Sequence, residues 1–198
     1  GGFPPCEGEN EGDMRRKSPY LGPTIEMPPI TDAMPDVDRE LRFFPVDNLS
    51  PEHLSAEQVL QYDELGYVFP LDVYTSAEAA ANRCYFDELM ARATAAGWDA
   101  YSINGWQLRC EGMYGMIVEP RILDYVQDLL GEHLVCWGAH FFCKMPGDSR
   151  RVSFHQDASY WPLTPSKTVT VWLAIDDADM ETGPMTVVPR SHLRGQIA

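Results

Sequence analysis

Positive charge is scarce in this sequence: 15 Lys and Arg stand against 30 Asp and Glu, a formal net charge of -15. A surface of that balance repels phosphate backbones and anionic lipid, which argues against nucleic-acid binding. The one basic cluster, Arg15-Arg16-Lys17, lies in a proline-rich stretch. Long apolar runs are missing too. Nothing approaches the length of a membrane span, and the opening residues lack the charged-then-apolar pattern of a signal peptide, so the expectation is a soluble, cytoplasmic protein with no membrane partner. Cysteine is sparse and unpatterned: Cys6, Cys84, Cys110, Cys136 and Cys143 include no Cys-x-x-Cys pair. Neither a disulfide framework nor a zinc knuckle fits that spacing, and buried free thiols are expected. The chain opens on Gly-Gly-Phe instead of Met and stops at Gln196-Ile197-Ala198 without a terminating pattern, so it is expected to be a piece of a longer protein.

What is present suffices for one domain. The 198 residues are 44% hydrophobic and 11% aromatic, enough for a single buried core and too few for two. Residues 1–48 hold many of the prolines, including Pro4-Pro5 and Pro28-Pro29, without an apolar period, and read as an extended or disordered arm. The domain is expected over 49–198. Its first helix is expected from Ser50-Pro51 through Leu54, Val59, Leu60 and Leu65 to Gly66, followed by a short strand over Tyr67–Leu71. Thr75-Ser76-Ala77-Glu78 has the form of a capping box opening an Ala-rich helix to about Ala96. A third helix is predicted from Pro120, with Ile122, Leu123, Val126, Leu129 and Leu130 at helical spacing and Gly131 past its end. Beyond it the pattern turns to strands: an apolar, aromatic Leu134–Met145, Ser153–Asp157, Val169–Ile175 and Met185–Val188. Helices followed by strands indicate an α+β layout with helices buttressing a sheet or barrel.

Within that strand-rich part, His155-Gln156-Asp157 is the segment with chemistry in it. On an extended chain residues i and i+2 share a face, so an imidazole and a carboxylate stand side by side while Gln156 turns away. Two histidines and one carboxylate on one face of Fe(II) leave the other face open for a 2-oxo acid and O₂, and this tripeptide offers two of those three ligands. By itself the spacing is common.

The context is more specific. From His140 to His192 the sequence resembles the phytanoyl-CoA dioxygenase family, through Lys144-Met145-Pro146-Gly147-Asp148, His155-Gln156-Asp157, Tyr160-Trp161-Pro162-Leu163, Val169 to Ile175, the turn Asp176 to Gly183, and Val188-Pro189-Arg190-Ser191-His192. Leu65-Gly66-Tyr67 and Leu129-Leu130-Gly131 fit as well, so the likeness covers roughly residues 50 to 198. The resemblance implies a double-stranded β-helix (a cupin-like jelly roll) flanked by N-terminal helices and incomplete at its C-terminal end. It also implies an Fe(II)- and 2-oxoglutarate-dependent dioxygenase that hydroxylates a small-molecule substrate with O₂. His155 and Asp157 would be metal ligands, and the Asp157 carboxylate is the hydroxylase form of a position that halogenating relatives fill with a small residue. Gln156, Trp172 and His140 stand where the family lines its 2-oxoglutarate pocket. Trp172 suits a core position equally well, His140 suits a ring held by a backbone carbonyl, and Arg109 suits either a partner for the co-substrate carboxylate or a surface position.

The sequence also departs from the family, which usually has Trp before the metal His, Asn where Thr182 stands, and Gly at the tight turn of Arg190. The family's distal His and its 2-oxoglutarate-anchoring Arg are expected beyond residue 198, so this chain alone is expected to be inactive. His192 belongs to the turn motif, and His53 and His133 lie on or beside helices. Two other readings stay open: a non-catalytic jelly-roll binding protein that has lost the full triad, and a cupin-type enzyme using His140, His155 and Asp157 with another divalent ion. Substrate identity is not written in these residues, though the acidic balance counts against a strongly anionic substrate such as an acyl-CoA.

Overall fold

The structure is a computed structural model and describes residues 36–99 and 101–195. Expectations that fall on 1–35, including Arg15-Arg16-Lys17 and Cys6, lie outside the described residues. Helix α1 is Ala56–Leu65, capped by Ser55 and not Ser50. The capping box explains the shift: the Ser55 hydroxyl accepts from the Gln58 amide and the Gln58 side chain accepts from the Ser55 amide, at 3.2 and 2.8 Å. Gly66 ends it in the left-handed region at φ 88°. Helix α2, Ser76–Ala95, opens on the expected Thr75/Glu78 box. Helix α4, Pro120–Leu130, starts on its proline and is followed by Gly131.

Between α2 and α4 come elements the sequence did not announce. Strand β1 is Ser102–Asn104, a 3₁₀ turn covers Trp106–Leu108, and α3 is the short Glu111–Ile117. Gly112 belongs in α3 for a steric reason, since a Cβ there would stand 2.4 Å from the Tyr85 ring of α2. Strand β2, His140–Phe142, pairs antiparallel with β1 in the register Ile103 to Phe141 and Asn104 to His140. The core forms where α2 covers this ribbon. Leu89, Ala93 and Ile103 are buried together, with Tyr85, Trp106, Cys110 and Phe141 packed on them. Phe86 and Phe141 meet at 5.0 Å between ring centroids, and Trp98 stands edge-on to Trp106 at 5.7 Å.

The mixed helix-and-sheet expectation therefore holds, while the many-stranded sheet does not appear among the described residues. Of Leu134–Met145, the stretch His140–Phe142 is strand, and 67–71, 153–156, 169–175 and 185–188 carry no ladder. Apolar, β-branched sequence supplies strand propensity, but a strand exists only where a neighbour answers its N–H and C=O groups. No helix among the described residues is long and apolar enough to cross a membrane. Cys110, Cys136 and Cys143 are free, with Cys136 exposed, whereas Cys84 is disulfide-bonded, which corrects the expectation of buried free thiols throughout.

Candidate metal-ligand pair

The chain reaches His155 through a tightened loop. Arg150 grips Asp148 through three hydrogen bonds from Nε and Nη2 and reaches Asp99 at 3.2 Å, so the segment after β2 is tied back to the residues just past α2. Past that loop the backbone is extended at Gln156 (φ -111°, ψ 121°), then bends into a 3₁₀ turn over Asp157–Tyr160. This corrects the strand expected through Asp157. The side-chain outcome is nevertheless the one the i, i+2 spacing predicts: His155 Nε2 stands 3.0 Å from Asp157 Oδ1.

Both partners are held from behind. His155 Nδ1 is 2.8 Å from the Ser153 carbonyl. A carbonyl can only accept, so Nδ1 carries the proton and Nε2 is the atom left to face Asp157. Across 3.0 Å, Nε2 and Oδ1 are close enough to share one proton or to ligate one cation. The other carboxylate oxygen, Asp157 Oδ2, accepts from Thr170 Oγ1 at 2.5 Å. Tyr160 closes one side, edge-on to the imidazole at 5.6 Å.

The remaining predicted residues divide. His140 on β2 stands edge-on to Phe142 at 4.0 Å. Partial burial lowers its pKa, against an opposing pull from the Asp157 charge, so it shares an electrostatic neighbourhood with the pair. Gln156 faces away, donating from Nε2 to the Gly195 carbonyl at 2.9 Å. Trp172 is 44% exposed on the extended 169–175 segment. Arg109 is exposed and lines an open concavity of about 390 Å³ with Gln107, Leu108, Cys110, Glu111 and Tyr114, none of which belongs to the pair.

His192 is engaged elsewhere. Its Nε2 donates to the Asp63 carbonyl at 2.9 Å and its ring meets Phe43 edge-on at 4.5 Å. It also packs so closely on Gly66 that a Cβ there would be 2.5 Å from Nδ1. Arg190, the position where the family has Gly, adopts φ 66° and donates its amide to the Leu65 carbonyl at 3.0 Å. Among the described residues no group of three or more His, Cys, Asp or Glu could hold a metal ion.

Two contacts on this site escaped sequence reasoning. Thr170 left a faint signal as the hydroxyl residue in Val169-Thr170-Val171-Trp172. Arg39 left none: it lies in the presumed arm yet donates to carbonyls of the turn that Asp157 opens.

Comparison with known proteins matches residues 62–198 to the family profile described as Phytanoyl-CoA dioxygenase (PhyH). A cattle protein named "Phytanoyl-CoA dioxygenase, peroxisomal" is 28% identical over 86 residues, covering 41% of this chain and 26% of that protein. Its mouse counterpart is 28% identical over the same length, and a mouse "Phytanoyl-CoA dioxygenase domain-containing protein 1" is 31% identical over 77 residues, 38% of this chain and 26% of the relative. The matched stretch thus spans about a quarter of each relative's length. No solved structure matches the chain. A match over residues 62–198 is well over half the sequence, and the chain belongs to the phytanoyl-CoA dioxygenase (PhyH) family.

Proposed function

We propose that this chain contributes His155 and Asp157 to the metal centre of an Fe(II)- and 2-oxoglutarate-dependent oxygenase that hydroxylates a small molecule. The observation that carries the reading is the 3.0 Å separation of Nε2 and Oδ1 with both groups anchored from behind. Two ligand atoms each about 2.1 Å from one cation and at right angles to each other stand about 3.0 Å apart, so the pair fits adjacent positions on one ion. When bound, Fe(II) with 2-oxoglutarate would supply O₂ activation coupled to oxidation of an unactivated C–H bond.

This chain's residues supply orientation. The Ser153 carbonyl fixes the imidazole tautomer, Thr170 turns the carboxylate so that Oδ1 faces His155, and Tyr160 shields one flank of the ring. Gln156, Trp172 and His140 belong, on this reading, to the 2-oxoglutarate pocket. His140 is the one of the three that shares the Asp157 field. The domain over 49–198 would be part of a jelly roll, with the second histidine and the 2-oxoglutarate-anchoring arginine supplied by residues outside this sequence.

The test is succinate formation from 2-oxoglutarate by the protein at its full length. It should require added Fe(II) and fall at least about 100-fold in His155→Ala and in Asp157→Ala. Succinate release that ignores Fe(II), or survives His155→Ala, would sink the reading. A protein that binds a small molecule without any Fe(II) dependence would instead be the non-catalytic jelly roll.

A further inference from the structure

Composition assigns residues 1–48 to an arm, yet the described part of it is stitched to the turn that carries Asp157. Arg39 Nη1 donates to the Ala158 carbonyl at 2.8 Å and to the Trp161 carbonyl at 2.7 Å, and both Nη1 and Nη2 reach the Ser159 carbonyl at 3.4 Å. Two further bonds lie beside it: the Glu40 amide donates to Thr164 Oγ1 at 3.1 Å, and the Ser166 amide donates to the Glu40 carbonyl at 3.0 Å. Lys167 and Asp47 approach to 3.7 Å farther along.

Two of the three carbonyls, those of Ser159 and Trp161, are ones the short turn leaves over, and the third, that of Ala158, is shared between Arg39 and the Trp161 amide. A 3₁₀ turn over Asp157–Tyr160 uses the Gln156 and Ala158 carbonyls for the Ser159 and Trp161 amides, and its later carbonyls point out of the end with partial negative charge. Arg39 brings a cation to that end, where the dipole favours one. Its planar fork can serve several acceptors at once, which a lysine ammonium on a flexible stem does less well. Ser159, at the centre of the grip, is 1% exposed, so water does not compete there. The turn begins at Asp157, and its other end is the part the guanidinium holds.

We propose that Arg39 is a positioning residue for the Asp157 carboxylate: by holding the carbonyls of Ala158, Ser159 and Trp161 it fixes the 3₁₀ turn, and through it the spacing of Asp157 and His155. The segment before the domain is then a working part of the site. The consequence for metal rests on the proposed His155/Asp157 ligation, but the hold on the turn does not.

Two measurements separate these. Hydrogen exchange on the full chain without added metal should show the Ser159 and Trp161 amides exchanging about tenfold faster in Arg39→Met and in Arg39→Lys, with α4 amides unchanged as the control for global folding. On the protein at its full length, Co(II) as spectroscopic stand-in should give a d–d band that His155→Ala abolishes. In Arg39→Met that band should shift and the affinity fall about tenfold, with partial recovery on adding ethylguanidinium. Unchanged exchange at Ser159 and Trp161 overturns the proposal. So does faster exchange with an unaltered Co(II) band, which would make Arg39 a fastening of the arm and nothing more. Failure of the metal reading shows in a different sample: a Co(II) band that persists in His155→Ala.

Discussion

Asp128 shows how much one side chain can hold. Its carboxylate, 4% exposed on α4, accepts from the amides of Glu52 at 3.0 Å and of His53 and Leu54 at 2.7 Å, so one acid organises the entry to α1. Burial pushes its pKa up, but the three amide donors together outweigh burial and hold it below the ordinary carboxylate value. A folded pKa below the unfolded one means stability that is complete above about pH 4 and is lost as pH falls through the depressed value. Asp128→Ala strips partners from amides beside the buried Leu54 and should cost about 2–4 kcal/mol in urea unfolding at pH 7. The gap to the unmutated protein should narrow on acidification below about pH 4; a gap that does not change with pH would refute the account. Nothing in the sequence marks Asp128, because its partners lie 74 to 76 residues away. The His155/Asp157 contact was legible because it is local, two residues along an extended chain. The grips of Thr170 on Asp157 and Arg39 on Ala158, 13 and 119 residues distant, were not.

Among elements the same rule decides what could be read. The Thr75/Glu78 box and the Pro120-to-Gly131 frame are complete within a few residues, and α2 and α4 stand where they were expected. Helix α3 carries two glycines in seven residues and shows no helical propensity to read. Val169–Ile175 has the residues of a strand but takes no ladder among the described residues, because pairing is a property of two segments. A longer-range device joins the two legible helices. Arg121, in the first turn of α4, donates to both oxygens of Glu78 at 3.1 and 3.0 Å and to Glu119 Oε1 at 2.6 Å. Glu78 closes the box of α2 and Glu119 caps α4, so one guanidinium fastens two helix N-termini while their carboxylates offset its charge against both dipoles. The Arg121 hydrogen bond, followed by those of Thr75, brings the Glu78 pKa down to about 2. In Arg121→Met the Glu78 carboxyl should titrate visibly higher by NMR, held only by Thr75. A midpoint that stays near 2 would show that the capping box alone sets it. The linked stability is present above the unfolded carboxyl value and is lost as pH falls toward the folded one, so the variant should differ least in acid.

At the scale of the molecule, burial is uneven. The core of Leu89, Ala93 and Ile103 lies under α2, while Trp137, Val171, Trp172, Met185 and Val187 along the later, unladdered segments are all exposed. Exposed apolar groups of that size favour association, and the net charge of -15 opposes it. Their ranges differ, and that sets the sign of the salt effect. Repulsion between like-charged chains acts over a Debye length that shrinks from about 30 Å at 0.01 M to about 3 Å at 1 M salt, whereas apolar contact is short-ranged and is not screened. The chain of 198 residues should therefore bind a fluorescent apolar dye such as ANS at low salt while scattering light as a monomer. It should then gain mass as sodium chloride is raised, the reverse of an assembly held by ion pairs. Replacing Val171 and Trp172 with glutamate should lower dye binding and delay the rise in mass without altering hydrogen-exchange protection in α2, whose buried core with Ile103 includes neither position. Dye binding that is absent at every salt concentration, or mass that falls as salt rises, would mean that these side chains do not form an accessible apolar face in solution.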